Sequence, residues 1–374
     1  MIKIGNQQML REINISTLLH TVLEHGPISR VELSRKTKLS PTTVSVLIED
    51  MIREQYVHEI GMSGSGVGRK MTLLSIRADG GYVIGVDLSI SPAHCVLLNL
   101  NGELIGSQNL KSVFGEEQFR TDLVQSIQSF IEQHQIPMKS IKRIGISLPG
   151  RLDDTQSVVI MSRYLQLNDF PLRKVLEEAL SIPVLLTNDL DAAGFAERFS
   201  GAAKGDHTII FLMLGYGTGA GLVLNGEIYH GSSGAAGRIS SFAPYTTPLL
   251  SERLKRDFPD RFEALTPEET IQTYVDLALS GVQPFTEQVN LMIEELADYC
   301  GKILQIINPQ KMILGGWITD NKSFLDKLIA SIHAKESSPY GATPIVVFHW
   351  KKYGAAKGAA MLGLHEIFKR ITVQ

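Results

Sequence analysis

The chain has 374 residues, of which 44% are hydrophobic and 20% charged, and carries a net charge of −3. That excludes a mainly disordered chain, and the length is ample for two or three domains. Two cysteines, Cys95 and Cys300, exclude a disulfide framework and a cysteine-rich zinc module. The start, MIKIGNQQMLREINIST, lacks the uninterrupted apolar core of a signal peptide. The longest uncharged run, His207 to Gly226, is 20 residues long. Gly215, Gly217, Gly219 and Gly221 interrupt it, so it reads as two short strands around a turn and not as a membrane span. A cytoplasmic protein with no membrane partner is expected.

Charge is unevenly spread: residues 1–80 carry a net +2, leaving −5 for the remainder. Ile15, Leu18, Leu19, Val22 and Leu23 form one apolar helical stripe, stopped by His25-Gly26-Pro27. Ser29 with Glu32 three positions on forms a capping box for a short helix running to Leu39. Ser40 caps the next helix and Pro41 suits its first turn. Val44, Ile48, Met51 and Ile52 form its inner face, leaving Thr42, Thr43 and Ser45 outside. Two short helices of this kind describe a helix-turn-helix, whose second helix enters the major groove of DNA. A strand, a tip with Gly64, Gly66 and Gly68, and a second strand come next, reading as a wing that carries Arg69 and Lys70. The expected DNA contacts are Arg30, Ser40, Pro41, Thr42, Thr43, Ser45, Arg69 and Lys70. A small helical bundle used for dimerisation is the alternative.

After Asp79-Gly80-Gly81 the pattern becomes mixed α/β. Two-strand units ending in Asn101-Gly102-Glu103 and Asn225-Gly226-Glu227 are each followed by helical stretches, such as Glu117–Gln133 and Leu291–Ile307. Buried strands are expected at Ile141–Leu148, Val184–Thr187, Lys311–Leu314 and Ile345–Trp350. This pattern implies two similar α/β lobes, with ligands favouring the strand ends.

Several segments together carry a resemblance: PISRVELSRKTKLSPTTVS, the wing GRK, IGVDLS, IGISLPG, TNDLDAAGFAE, GYGTGAGLVLNGEIYHGSSGAAG, INPQKMILGG and GAAKGAAMLG. Their order and spacing resemble the ROK family of repressors, open reading frames and sugar kinases, over almost the whole chain. The resemblance implies an N-terminal winged helix-turn-helix followed by a bilobed actin-like ATPase (ribonuclease H-like) fold. The expected division is a reader at 1–78, a first lobe at 79–198 with helix 355–374 packing back on it, and a second lobe at 199–354.

The kinase chemistry of such a family needs a phosphate cradle, a base and a sugar pocket. In the first cradle Asp87 is present, but Ser89 replaces the glycine that lets a phosphate approach, and Pro92 has no amide to offer. The second cradle is better kept, with Gly217, Thr218 and Gly219; its glycines leave amides free for an anion or serve a tight connection needing positive φ. Trp317 after Gly315-Gly316 could stack on a base or fill the slot. Asp189 stands at the family's base position; either it contacts a ligand, or Asn188 or Asp189 caps the following helix. The resemblance puts Gly-Glu-x-Gly-His where Gly237-Arg238-Ile239-Ser240-Ser241 stands, and a cysteine-rich zinc loop where FAPYTTPLLSERLKRDFPD stands. Tyr164 occupies an asparagine position after Pro149-Gly150. No metal and no cofactor are therefore expected. Ligand contacts are expected at Gly150, Asn188, Asp189, Arg238 and Ser241. Arg238 could pair with a neighbouring acid, or hold an acidic or phosphorylated ligand.

The function implied is a DNA-binding regulator, a repressor of carbohydrate genes, built on a catalytically inactive kinase-like sensor. Its partners would be a double-stranded operator, a sugar, sugar-acid or sugar-phosphate effector, and further copies in a homodimer or tetramer. The alternatives are an active ATP-dependent sugar kinase with an appended reader, and a constitutive repressor without a ligand.

Overall fold

The computed structural model describes residues 7–63, 71–336, 341–350 and 353–369. Its contacts form two units: residues 1–187 with 359–374, and residues 188–358.

The first unit opens with helix α1 (Gln7–His25), strand β1 (Ile28–Ser29), helices α2 (Arg30–Thr37) and α3 (Pro41–Arg53), and strands β2 (Val57–Ser63) and β3 (Met71–Ile76). Ile15, Leu18, Leu19 and Val22 of α1 are buried, as are Leu33 of α2 and Val44, Leu47, Ile48 and Met51 of α3. Both caps form: the Ser29–Glu32 box is reciprocal, and the Ser40 hydroxyl accepts from the Thr43 amide. Helix α2 stops at Thr37, short of Leu39, because Lys38 turns left-handed at φ 59°. The small sheet runs β1-β3-β2. The wing tip with Gly64, Gly66, Gly68, Arg69 and Lys70 lies outside the described residues.

This reader is tied by hydrogen bonds to the chain on its C-terminal side. The Arg77 amide donates to the Tyr56 carbonyl (2.8 Å) and the Leu100 amide to that of Ala78 (3.2 Å). The Arg77 side chain bonds both Asp79 and the Gln55 amide oxygen.

Strands β4 (Tyr82–Asp87), β5 (Ala93–Asn99) and β6 (Leu104–Leu110) precede helices α4 (Gly115–Arg120) and α5 (Asp122–Gln133), so the expected single helix breaks at Thr121. Strands β7 (Ile141–Leu148), β8 (Arg151–Leu152), β9 (Val159–Ser162) and β10 (Leu167–Phe170), helix α6 (Leu172–Leu180) and strand β11 (Val184–Asn188) complete the series. The second unit contains α7 (Asp189–Ser200), β12 (Ile209–Leu214), β13 (Thr218–Leu224), β14 (Glu227–Ile228), α8 (Thr247–Asp257), α9 (Pro259–Phe262), α10 (Pro267–Leu279), α11 (Phe285–Ile307), β15 (Lys311–Gly316), α12 (Lys322–Lys335) and β16 (Ile345–Val347). The last strand is shorter than the expected Ile345–Trp350. Helix α13 (Gly354–Lys369) starts in the second unit, and from Ala359 onward belongs to the first.

The two larger sheets share a plan. Their orders are β11-β7-β4-β5-β6 and β14-β13-β12-β15-β16. In each, the leading strand pairs antiparallel with the next (β4–β5, β12–β13) and parallel with a later one (β4–β7, β12–β15). The Asn-Gly turns sit at matching places, between β5 and β6 and between β13 and β14. Only the second puts both residues left-handed, Asn225 at φ 54° and Gly226 at φ 84°.

Each sheet is covered on both faces. Ile144 and Ile146 of β7 join the core with Phe119, Leu123, Ile127 and Leu176 of α4–α6. Gly145 between them points the other way, onto α13, where an added Cβ would stand 2.1 Å from the Ala359 carbonyl oxygen. In the second unit Ile210, Leu212 and Leu214 pack on helices α8 and α10–α12. On the opposite face α7 crosses β13 so closely that a Cβ at Gly221 would stand 2.3 Å from the Leu190 carbonyl oxygen.

Candidate functional site

On α3 the outward residues divide into two groups. Thr43 is committed to the cap, its hydroxyl 2.8 Å from that of Ser40. Pro41 and Thr42 are exposed and Ser45 half-buried, so Thr42 and Ser45, one turn apart, are the side chains presented outward. Arg30 opens α2 and is ion-paired to Glu59 of β2 at 2.8 Å. Exposed Val46 stands beside Thr42 on the same face and was not singled out from the sequence.

In the first unit, Asp87 ends β4 and is 5% exposed. Its Oδ1 accepts from the Ser89 amide (2.9 Å), the Ser89 hydroxyl (2.7 Å) and the Ser147 hydroxyl (3.4 Å). Ser89 thus folds back and closes the loop on the carboxylate. Burial pushes the Asp87 carboxyl above the usual range, opposed by the Ser89 bonds and by His94. The charged form is therefore the one penalised by folding. That penalty is present at neutral pH and fades as pH falls through the raised pKa toward the unfolded value. Asp87→Asn keeps an oxygen acceptor. It is expected to raise the melting temperature at pH 7–8, with the gain shrinking toward pH 4.5; a pH-independent loss in thermal melts would contradict this account. Tyr164 lies within reach of the Asp87 charge, its own pKa raised first by burial and then by that carboxylate, with its ring edge-on to Phe114 at 5.9 Å. Gly150 has φ +134°, and a Cβ there would stand 2.5 Å from the Met161 carbonyl oxygen, so the connection between β7 and β8 itself requires glycine.

In the second unit the residues expected to form the second cradle lie in the loop between β12 and β13 and at the start of β13. None of Gly215, Gly217 and Gly219 has positive φ, so the tight-connection explanation does not apply. At Gly219 a Cβ would meet the end of the Leu190 side chain at 2.6 Å; at Gly217 nothing lies within 4 Å. The Gly215 amide is already used by the Gly217 carbonyl (2.9 Å). The Thr218 hydroxyl is buried and has no partner among the described residues. Tyr216, 66% exposed, donates its hydroxyl to Glu268, a contact 52 positions away that no local pattern reveals.

Asn188 caps α7, its side-chain oxygen accepting from the Leu190 amide at 3.1 Å, and Asp189 is the first helical residue. The same oxygen accepts from Arg238 Nη1 at 2.9 Å. Arg238 is exposed and, among the described residues, pairs with no carboxylate, which removes the neighbouring-acid alternative. Asn188, Asp189 and Arg238 are thus brought together, and Ser241 lies three residues beyond Arg238 in a short 3-10 turn, Ser240–Tyr245. That turn carries apolar packing. Phe242 is 1% exposed and sits edge-on to Tyr299 at 5.1 Å. Trp317 donates to the Tyr245 carbonyl (2.9 Å) and packs on Phe324 at 5.4 Å, so it fills its slot. A shallow recess lined by Glu268, Gln272, Trp317, Asp320 and Asn321 among others lies beside it and was not foreseen. Glu197, fully buried, accepts from the amides of Ala202, His349 and Trp350 and serves the fold.

Taken together, a winged helix and two sheets of one plan define a reader joined to a kinase-like body. Residues 11–58 match the winged helix-turn-helix DNA-binding model, and residues 83–240 match the ROK family model. The chain carries a ROK family domain, with its actin-like kinase fold, behind an N-terminal winged helix-turn-helix. It is 30% identical over 237 residues to the xylose repressor of Bacillus subtilis (strain 168), which covers 63% of this chain and 62% of that protein's length. It is 27% identical to the xylose repressor of Caldicellulosiruptor bescii, over 87% of this chain and 88% of that one. A solved structure described as a ROK family transcriptional regulator, homolog of the E. coli MLC protein, superposes with a TM-score of 0.81 at 20% identity, over 96% of this chain and 98% of that one. No helix among the described residues is long and apolar enough to cross a membrane.

Proposed function

We propose that the chain is a cytoplasmic, sugar-responsive transcriptional repressor, a homodimer or tetramer whose winged helix binds double-stranded operator DNA and whose kinase-like body senses a ligand without phosphorylating it. The relatives named as xylose repressors support the class. The observation that carries the loss of catalysis is Ser89, whose amide and hydroxyl both close on Asp87 where a phosphate would need open backbone. Asp189, the family's base position, then serves ligand contact alone. Asn188, Asp189, Arg238 and Ser241 are assigned to the effector, and the loop with Gly217, Thr218 and Gly219 is a relic of the second cradle.

Arg238 sets the ligand class. An exposed guanidinium that among the described residues is held by an amide oxygen and no carboxylate can fork onto a carboxylate or phosphate. The reading therefore favours a sugar acid or sugar phosphate over a neutral sugar. Thermal shifts of the full chain with xylose, gluconate and glucose 6-phosphate test it, because a true ligand raises stability by mass action. The charged ligand is expected to raise the melting temperature in the wild type and not in Arg238→Ala. Equal responses in both proteins would remove Arg238 from the site. ATP turnover dependent on magnesium and sugar, lost in Asp189→Ala, would establish the kinase alternative instead.

A further inference from the structure

The composition of helix α3 limits how it can read DNA. Val44, Leu47, Ile48 and Met51 are buried on its inner side. At 3.6 residues per turn, Thr42, Ser45, Val46 and Glu49 fall within an arc of about 100° on the opposite side. Thr42, Val46 and Glu49 are exposed and Ser45 is half-buried. In a helix-turn-helix it is the early residues of the second helix that meet base edges.

The strongest single-base contacts are closed to this arc. Guanine is read by the donors of arginine or lysine, and adenine by the side-chain amide of asparagine or glutamine. Helix α3 contains no lysine, asparagine or glutamine. Its one arginine, Arg53, is the last helical residue and pairs with Asp50 at 2.7 Å. The hydroxyls of Thr42 and Ser45 can both donate and accept, so they discriminate weakly. Glu49 can only accept, as from a cytosine amino group. That leaves Val46, which is 54% exposed. Single exposed valines are ordinary on a protein surface, and valine makes a poorer helix than alanine. What sets Val46 apart is its place, one turn after Thr42 and next to Ser45 on the arc that opposes the core. In the major groove an aliphatic side chain finds one matching feature, the C5-methyl group of thymine.

We propose that Val46 is a specificity residue of the reader, packing its γ-methyl groups on the C5-methyl of a thymine in the operator. This rests on the DNA-reading role of α3 in the proposed function and names the base feature it takes. Duplexes selected from a random pool on the wild-type full chain provide the probe, with affinities measured at one fixed salt concentration. Each thymine is exchanged singly for deoxyuridine, which removes the methyl and keeps every hydrogen-bonding group. At one thymine, or at it and its symmetry mate, the exchange should weaken wild-type binding about three- to fivefold, the share of one buried methyl. Val46→Ser removes both γ-methyls. It should weaken binding to the thymine duplex by about that factor or more, and the deoxyuridine exchange at that position should then make no further difference. Serine and valine are similar helix formers and the position is exposed, so the melting curve of Val46→Ser should match wild type. A wild type that selects no duplex would remove DNA reading and this contact together. A wild type that binds its selected duplexes but tolerates deoxyuridine at every thymine overturns the proposal alone. So does a Val46→Ser protein as sensitive to the exchange as wild type.

Discussion

Gly145→Ala is expected to unfold the first unit at temperatures where the wild type is intact. The strand around Gly145 is central, with β4 on one side and β11 on the other. The added methyl would stand 2.1 Å from the Ala359 carbonyl oxygen and 2.5 Å from its carbonyl carbon. Both belong to helix backbone, which cannot move as a flexible side chain can. The helix must lift off the sheet or the strand must bend away. The loss should lie at the upper end of the ~1–3 kcal/mol found for overpacked cores, or beyond it. Gly217→Ala provides the contrast: its Cβ would meet nothing within 4 Å and its backbone is not left-handed, so its stability should match wild type. Denaturant unfolding of both variants reads the difference directly. A Gly145→Ala protein as stable as Gly217→Ala would mean that α13 is not seated on β7.

The second large effect is expected at Ser45. This residue lies on α3 one turn after Thr42, on the side that the proposed function turns toward the major groove. Ser45→Glu introduces a better helix former but aims a carboxylate at the phosphate-lined groove. Binding to duplexes selected on the wild-type chain should fall by about a hundredfold or more, read by fluorescence anisotropy at one fixed salt concentration. Thr42→Ala should instead change which sequences are preferred, at ~1–3 kcal/mol for a lost base contact. Thr43→Ala should act mainly through stability, because its hydroxyl is held by Ser40. Undiminished affinity in Ser45→Glu, with a normal melting curve, would take α3 out of the groove.

The reader was legible because its signals are local. Ser29 with Glu32, and Ser40 with Pro41, mark helix starts within four residues, and both caps form. Leu47 was missed from the inner face although it lies one turn after Val44, and it is 4% exposed. The shared plan of the two sheets was legible through the Asn-Gly turns at Asn101 and Asn225, since a hairpin turn fixes the pairing of its own strands. The candidate site was legible as a set of residues and not as a geometry. Ser89 was singled out from the sequence; that it folds back onto Asp87 is a short Asp-x-Ser turn that local chemistry could have supplied. The bond between Arg238 and Asn188 joins residues 50 positions apart. Tyr216 with Glu268 and Tyr245 with Glu295 depend likewise on how helices stack. Nor can spacing tell Gly219, wedged against Leu190, from Gly217, which faces open space.

The ties between Arg77 and Tyr56, Ala78 and Leu100, and the Arg77–Gln55 bond bear on how such a protein could be rewired. A Cβ at Gly80 would stand 2.2 Å from the Gln55 carbonyl oxygen, so the junction is packed as tightly as a core. The DNA-reading module is therefore not a cartridge on a string. A chimera that exchanges operator specificity must carry both faces of this joint, Gln55 and Tyr56 from the module together with Arg77 to Leu100 from the body. Otherwise the transplanted module will fold but point in a direction its new body does not control.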